Sequence, residues 1–297
     1  MDAPNTFSSQ LEKWIYNRSK GSIFFVNVVP KDLDEIEQRM KNFGYIEEDK
    51  RDKELDKEGT CCTGFVVEEK GMHLKILTCA HLMQHVFKGS DVISVQKAND
   101  LFSVYVLCDH FEENFRSPEQ RTHGVRTYAR ATMIGINCRK DLLLLQVVRK
   151  DVMDLGRPCG NSHRALTISP TPPETLDKCA MVSWPPHQPR TAVSGEISHP
   201  SRSFEDTEEK NPIGYTMNFT QANIASEDGS SGAPLLDGNG RIIGLLHGGF
   251  GGRFSYFVSH FDIRRFLRQY GVQHGKFSHL SNMFVFLYSV NMLNGIA

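Results

Sequence analysis

Between residues 59 and 258 the apolar side chains come in short runs, each bounded by turn-forming Gly, Pro, Asn, Asp or Ser, with no long helical period among them. The runs lie at 65–67, 74–78, 92–95, 104–107, 131–136, 142–148, 165–168, 181–184, 217–219, 242–246 and 256–258. Segments of this length and spacing are expected to be strands. Without intervening helices they must pair antiparallel, which predicts β-barrels or a sandwich and excludes a βαβ fold.

Helix is expected only toward the two ends. Within 31–42, Leu33, Ile36 and Met40 recur at helical spacing after an apolar, β-branched run at 22–29 that reads as a strand. Near the other end, Phe261, Phe266, Leu267 and Tyr270 predict a helix over 261–270 that Gly271 stops. Residues 47–58 are almost all charged, with mixed sign, and predict a solvated connection. The expected organisation is a leading strand, helix and connection (1–58), a first barrel (59–158), a second barrel with the terminal helix (159–272), and a tail (273–297). Polar stretches at 109–124 and 201–211 read as surface insertions.

The 34 Lys and Arg against 35 Asp and Glu give no bulk charge that would recruit nucleic acid or an anionic membrane. No run reaches the roughly 18 apolar residues of a membrane span. Residues 283–293 come nearest, and Ser289 and Asn291 interrupt them. The first ten residues lack the basic start and apolar run of a secretory signal, which predicts an intracellular, cytoplasmic or nuclear protein. The sequons at Asn17 and Asn218 then carry little meaning. Seven cysteines, an odd number with no C-x-x-C pair, argue for reduced thiols, against both a disulfide framework and a zinc site. No metal and no cofactor are expected.

The strongest local signal is Gly229-Ser230-Ser231-Gly232-Ala233-Pro234. Glycines flanking a serine let the backbone fold tightly enough for the amides of Gly229 and Ser231 to point at one spot beside the hydroxyl, as an oxyanion hole requires. Alone, the same string is an ordinary Gly-Ser turn before a hairpin. A serine hydroxyl needs a base, and among the twelve histidines His81 stands at the end of the apolar run 74–78. A carboxylate must hold that histidine in one tautomer, and Asp141 stands immediately before the run 142–148. Each is unremarkable by itself, but the order His, Asp, Ser is that of chymotrypsin-type enzymes.

Four segments together carry a specific resemblance. Residues 59–67 with Thr78-Cys79-Ala80-His81 resemble the Gly-rich strand and T-x-A-H signature of trypsin-like peptidases, especially the HtrA/Deg family. Residues 131–147 are similar to its aspartate segment, and 229–237 with 240–244 to its serine segment and following strand. The resemblance implies two antiparallel β-barrels of the chymotrypsin type and a C-terminal helix. It further implies a serine endopeptidase acting on polypeptides through an acyl-enzyme, without cofactor and insensitive to chelators. His81, Asp141 and Ser231 would be its triad, with Gly229 and Ser231 as oxyanion donors. Homo-oligomers occur in that family. Three departures stand out: Ala233 replaces a usual glycine, residues 273–297 are too few for the PDZ domain that the family usually adds, and the charged connection and the insertion before Thr127 lengthen the first barrel beyond the family's compact form. The resemblance puts the primary pocket near Ala225, walled by the strand carrying His247, Gly248 and Gly249; a neutral floor predicts an uncharged, apolar residue before the cleaved bond, unless an insertion shifts the floor towards Glu227 or Asp228. The alternative is a catalytically silent trypsin-fold protein that binds or scaffolds, although such a chain has no reason to retain the triad and the oxyanion glycine.

Overall fold

The computed structural model describes residues 9–45, 59–108, 110, 127–154, 157–186, 188–207, 210–249 and 253–272. Six antiparallel strands close the first barrel: β1 (Ile23–Pro30), β2 (Thr60–Lys70), β3 (His73–Thr78), β4 (Phe102–Leu107), β5 (Ala129–Asn137) and β6 (Leu142–Val148). They run in the order β1-β2-β3-β6-β5-β4, and β1 pairing with β4 completes the ring. A two-stranded ribbon, β7 (Met153–Asp154) and β8 (Arg157–Pro158), lies on the connection to the second barrel. That barrel comprises β9 (Lys178–Ser183), β10 (Thr191–Ser203), β11 (Asn218–Ala222), β12 (Pro234–Leu236), β13 (Ile242–Gly249) and β14 (Ser255–Ser259), in the order β10-β11-β14-β13-β12-β9. Among the described residues the α-helices are α1 (Ser9–Ser19), α2 (Leu33–Asn42), α3 (Val95–Leu101) and α4 (His260–Gln269).

Strand β9 shows how the pleat builds two cores from one segment. Cys179 and Met181 point into a cluster inside the second barrel with Leu235, Leu246 and Phe257. Their neighbours Ala180 and Val182 point the other way, into a larger cluster that includes Phe65, Ile76 and Leu144 of the first barrel. Period-2 alternation would leave one face polar on a solvated sheet; here both faces are covered, so the strand is apolar from Cys179 to Val182. Each fully buried Leu, Ile or Phe contributes about 1.5–3 kcal/mol of transfer free energy.

The fold class expected from sequence is the one observed, and several element assignments change. The first barrel begins at β1, well before residue 59, because β2 and β4 need a strand between them to close the ring. Residues 92–95 do not form a strand: the Ser94 side chain accepts the Lys97 amide and caps α3, so Val95 opens a helix. Residues 165–168 contribute one isolated bridge, Ile168 to Ile242. The stretch read as an insertion at 201–211 starts inside β10. Helix α1, which the sequence reading missed, buries Leu11 and Ile15. In α4 the buried side is Ile263, Phe266 and Leu267, whereas Phe261 is exposed. The charged connection 47–58, most of 109–124 and the tail segment 283–293 lie outside the described residues. Among the described residues no helix is long and apolar enough to cross a membrane.

Candidate active site

Asp141 sits in the turn that feeds β6, with φ +54°, a left-handed conformation that Asp tolerates better than most residues. Its carboxylate is closed to solvent and would be costly there if uncompensated. Four donors compensate it. One oxygen, Oδ1, accepts the Ala80 amide at 2.8 Å and the His81 amide at 2.6 Å. The other, Oδ2, accepts Nδ1–H of His81 at 2.7 Å and Nδ1–H of His247 at 2.5 Å. Burial would raise the Asp141 pKa, but the charges of His81 and His247 and their hydrogen bonds outweigh it and hold the carboxyl well below its ordinary range. An ionised carboxylate can only accept, so both imidazoles carry their proton on Nδ1 when neutral. His81 is thereby left with a basic Nε2, which lies 3.7 Å from Cys79 Sγ.

The sequence puts His247 in the strand expected to wall the substrate pocket; in the structure its ring turns onto Asp141. A register shift between Leu246 and Gly248 makes His247 the bulged residue of β13. The bulge turns its ring inward, onto Asp141, where only a tenth of the side chain is exposed. Tyr215, Phe219 and His81 pack around that ring at centroid distances of 5.1, 5.3 and 5.2 Å. Its carbonyl accepts the Ser231 hydroxyl at 3.3 Å. No local sequence signal marks His247 as a partner of Asp141, because the contact depends on the bulge and spans the two barrels.

The serine turn is seated against the strand end that leads to His81. The Thr63 amide donates to the Ser231 carbonyl at 2.9 Å, and the Gly232 amide to Leu246 O at 2.7 Å. Gly232 has φ +81°, and a Cβ there would lie 2.2 Å from Thr63 O and 2.5 Å from Thr78 Oγ1, so the approach admits only glycine. Gly229, at φ +84°, meets Pro186 in the same way, with its carbonyl held by Thr63 Oγ1 at 2.9 Å. Among the described residues the amides of Gly229 and Ser231 donate to no acceptor, whereas the neighbouring Ser230, Gly232 and Ala233 amides are all bound within the turn or to β13. Ser230 is buried, with its hydroxyl on Ser183 Oγ at 3.3 Å. The methyl of Ala233 is accommodated: the residue is buried, has no positive φ, and joins the ladder through Leu246.

Ala225 is exposed, in the stretch between β11 and the serine turn. Gly248 and Gly249 end β13, paired with Tyr256 and Ser255. Behind Gly249 the buried Ser255 hydroxyl donates to Ile224 O at 2.7 Å and meets Ser226 Oγ at 2.9 Å. Glu227 and Asp228 are both exposed, with Glu227 accepting from Gln188 at 3.2 Å. Small neutral serines, not these acids, therefore line that corner.

A second group of chemically capable side chains lies on other elements. Cys108, at the end of β4, and His110 come together with Cys159 and His163, which follow β8. The expectation that the thiols have no metal-binding arrangement rested on the missing C-x-x-C. The fold assembles a C-x-H half and a C-x-x-x-H half instead, each too common alone to be a signal.

The model of the trypsin-like peptidase domain family matches residues 62–245, a stretch that includes His81, Asp141 and Ser231. Among solved structures, the active form of the Rv3671c protease from M. tuberculosis superposes with a TM-score of 0.54 at 15% identity, over 92% of this chain and 90% of that one. The serine endoprotease from Yersinia pestis does so with a TM-score of 0.50 at 16% identity, over 90% of this chain and 67% of that one. At such identities the likeness concerns the fold. No curated protein sequence matches the chain significantly. Matched by the family model over most of its length, the chain belongs to the trypsin-like peptidase family and is a serine-type endopeptidase.

Proposed function

We propose that this peptidase hydrolyses polypeptides through an acyl-enzyme, with Ser231 as nucleophile, His81 as general base and then acid, and Asp141 as orienter. The observation that carries the reading is the Asp141 carboxylate, buried, ionised and bonded to His81 Nδ1. Neutral His81 takes the Ser231 proton on Nε2 as Oγ attacks the scissile carbonyl. The developing oxyanion accepts the unpaired Gly229 and Ser231 amides. His81 then protonates the leaving amine, and water repeats the sequence on the acyl-enzyme. Before attack the Ser231 hydroxyl must leave the His247 carbonyl and turn to His81, a side-chain rotation that substrate binding drives. Labelling by a fluorophosphonate probe tests the reading, since only an activated serine is modified; an unlabelled protein would favour the silent binding alternative.

The pH profile follows from the same contacts. Burial lowers the His81 pKa, but the Asp141 charge and hydrogen bond more than offset this and hold it above the ordinary imidazole value. Because the base must be neutral, kcat/KM should rise with pH through an apparent pKa above about 6.5. A rising limb centred at or below that value would contradict the role given to Asp141.

Specificity is proposed from the lining of Ser226 and Ser255 and from the exposure of Glu227 and Asp228. A buried cationic side chain would find no counter-ion there, so residues without charge are favoured before the cut. Digestion of a peptide library checks this, and strong enrichment of Arg or Lys at that position would overturn it.

A further inference from the structure

We propose that Cys108, His110, Cys159 and His163 form a structural zinc(II) site that staples the seam between the two barrels. Each residue offers one ligand atom, and the four atoms lie within 4.8 Å of one another. Tetrahedral zinc bound by two thiolates and two imidazoles needs ligand separations of about 3.3–3.8 Å, a contraction that side-chain rotation supplies. Two sulfurs and two nitrogens are the donor set that selects zinc over the hard cations. Cys108 and His163 are almost wholly buried and His110 is 9% exposed. With four protein ligands no position remains open for water, which makes the site structural.

The surroundings orient the ligands. His163 donates Nδ1–H to the Gly21 carbonyl at 2.8 Å, which leaves the Nε2 lone pair for a metal; that nitrogen is buried and has no hydrogen-bond partner. The Cys159 amide is fixed on Val152 O at 2.8 Å, and the Asn161 side chain donates to Cys159 Sγ at 3.8 Å. Ser22 holds the loop beyond His163 through the Arg164 carbonyl at 2.5 Å. As a thiol, Cys108 donates to Met153 O at 3.4 Å; zinc would take the place of that proton. Bound thiolates and neutral imidazoles make the centre electrically neutral, so its burial leaves no uncompensated charge.

The site joins four pieces of chain: the residues before β1, the end of β4, the segment after β8, and the β9–β10 turn. The last is reached through Arg190, which donates to the carbonyls of Cys108 and Lys20 and stacks on Trp184 at 4.6 Å. Pro185 and Pro186 follow Trp184 and press on Gly229. Metal loss should therefore loosen the support of the serine turn without removing any reacting group.

Metal content of the full chain, purified without chelator, tests the proposal. About one zinc per chain is expected, and cobalt(II) in its place should give the visible bands of a tetrahedral site with thiolate-to-cobalt charge transfer. Cys159→Ser and His163→Ala should each fall below about a tenth of an equivalent, whereas His163→Cys should keep the metal and strengthen the charge-transfer band. Ser231→Ala should keep it fully. Chelation should lower Tm, and zinc should restore it. A wild-type chain with negligible metal, a Cys108–Cys159 disulfide in its peptide map, or unchanged zinc in Cys159→Ser would each overturn the assignment. The first two outcomes are read on the wild-type protein and do not depend on how the variants fold.

Discussion

Ser231→Ala is expected to lower kcat by about 10⁵–10⁶-fold and to abolish fluorophosphonate labelling, because the hydroxyl is the only group of that side chain that reacts. Its present hydrogen bond, to the His247 carbonyl at 3.3 Å, is long, and the turn is held by backbone contacts instead. Removing Oγ should therefore change Tm little. Ser230→Ala is the matched control. That side chain is buried against Ser183 and faces away from the proposed reaction centre, so its loss should cost stability and leave labelling at Ser231 intact. Mass spectrometry of the labelled peptide decides between the two adjacent serines. A probe adduct on Ser230, or full labelling of Ser231→Ala, would show that the register proposed for the nucleophile is wrong.

What the sequence made readable was local chemistry. A serine between glycines, a histidine ending one apolar run and an aspartate opening another are each set by a few neighbouring residues. The backbone contacts that hold the turn use those same residues. The barrels were readable because short alternating runs allow few other solutions. What was hidden depends on pairing at a distance. β1 joins the first barrel because a ring must close, a property of six strands together and of no single run. Residues 92–95 carry β-branched side chains, yet one capping bond from Ser94 commits Val95 to a helix, since local capping outweighs weak strand propensity. From sequence, His247 belongs to the strand that walls the expected pocket. A single bulged residue in β13 redirects it to Asp141, and a bulge leaves no mark in an apolar pattern. The Cys and His cluster was missed for a related reason: its two halves meet only once the first barrel and the inter-barrel connection have packed.

Asp141→Asn is expected to lower kcat by about 10⁴-fold while leaving the fold in place. Asn tolerates the left-handed φ of +54° at this position, so the backbone need not move, which makes it a cleaner test than Ala. The carboxamide has one oxygen and one NH₂. Keeping the oxygen on the Ala80 and His81 amides preserves two of the four bonds and turns the NH₂ toward the two imidazoles. Each ring must then accept on Nδ1 and carry its proton on Nε2. In that tautomer His81 has no lone pair to offer the Ser231 hydroxyl, so proton transfer fails although every side chain has a partner. The pH profile separates this account from simple misfolding. Without the Asp141 charge and hydrogen bond that raise the His81 pKa, burial acts unopposed, and the residual activity should titrate at a lower pH than that of the wild-type enzyme. A variant that lost activity with its rising limb unmoved, or that kept full activity, would mean that Asp141 does not act through His81.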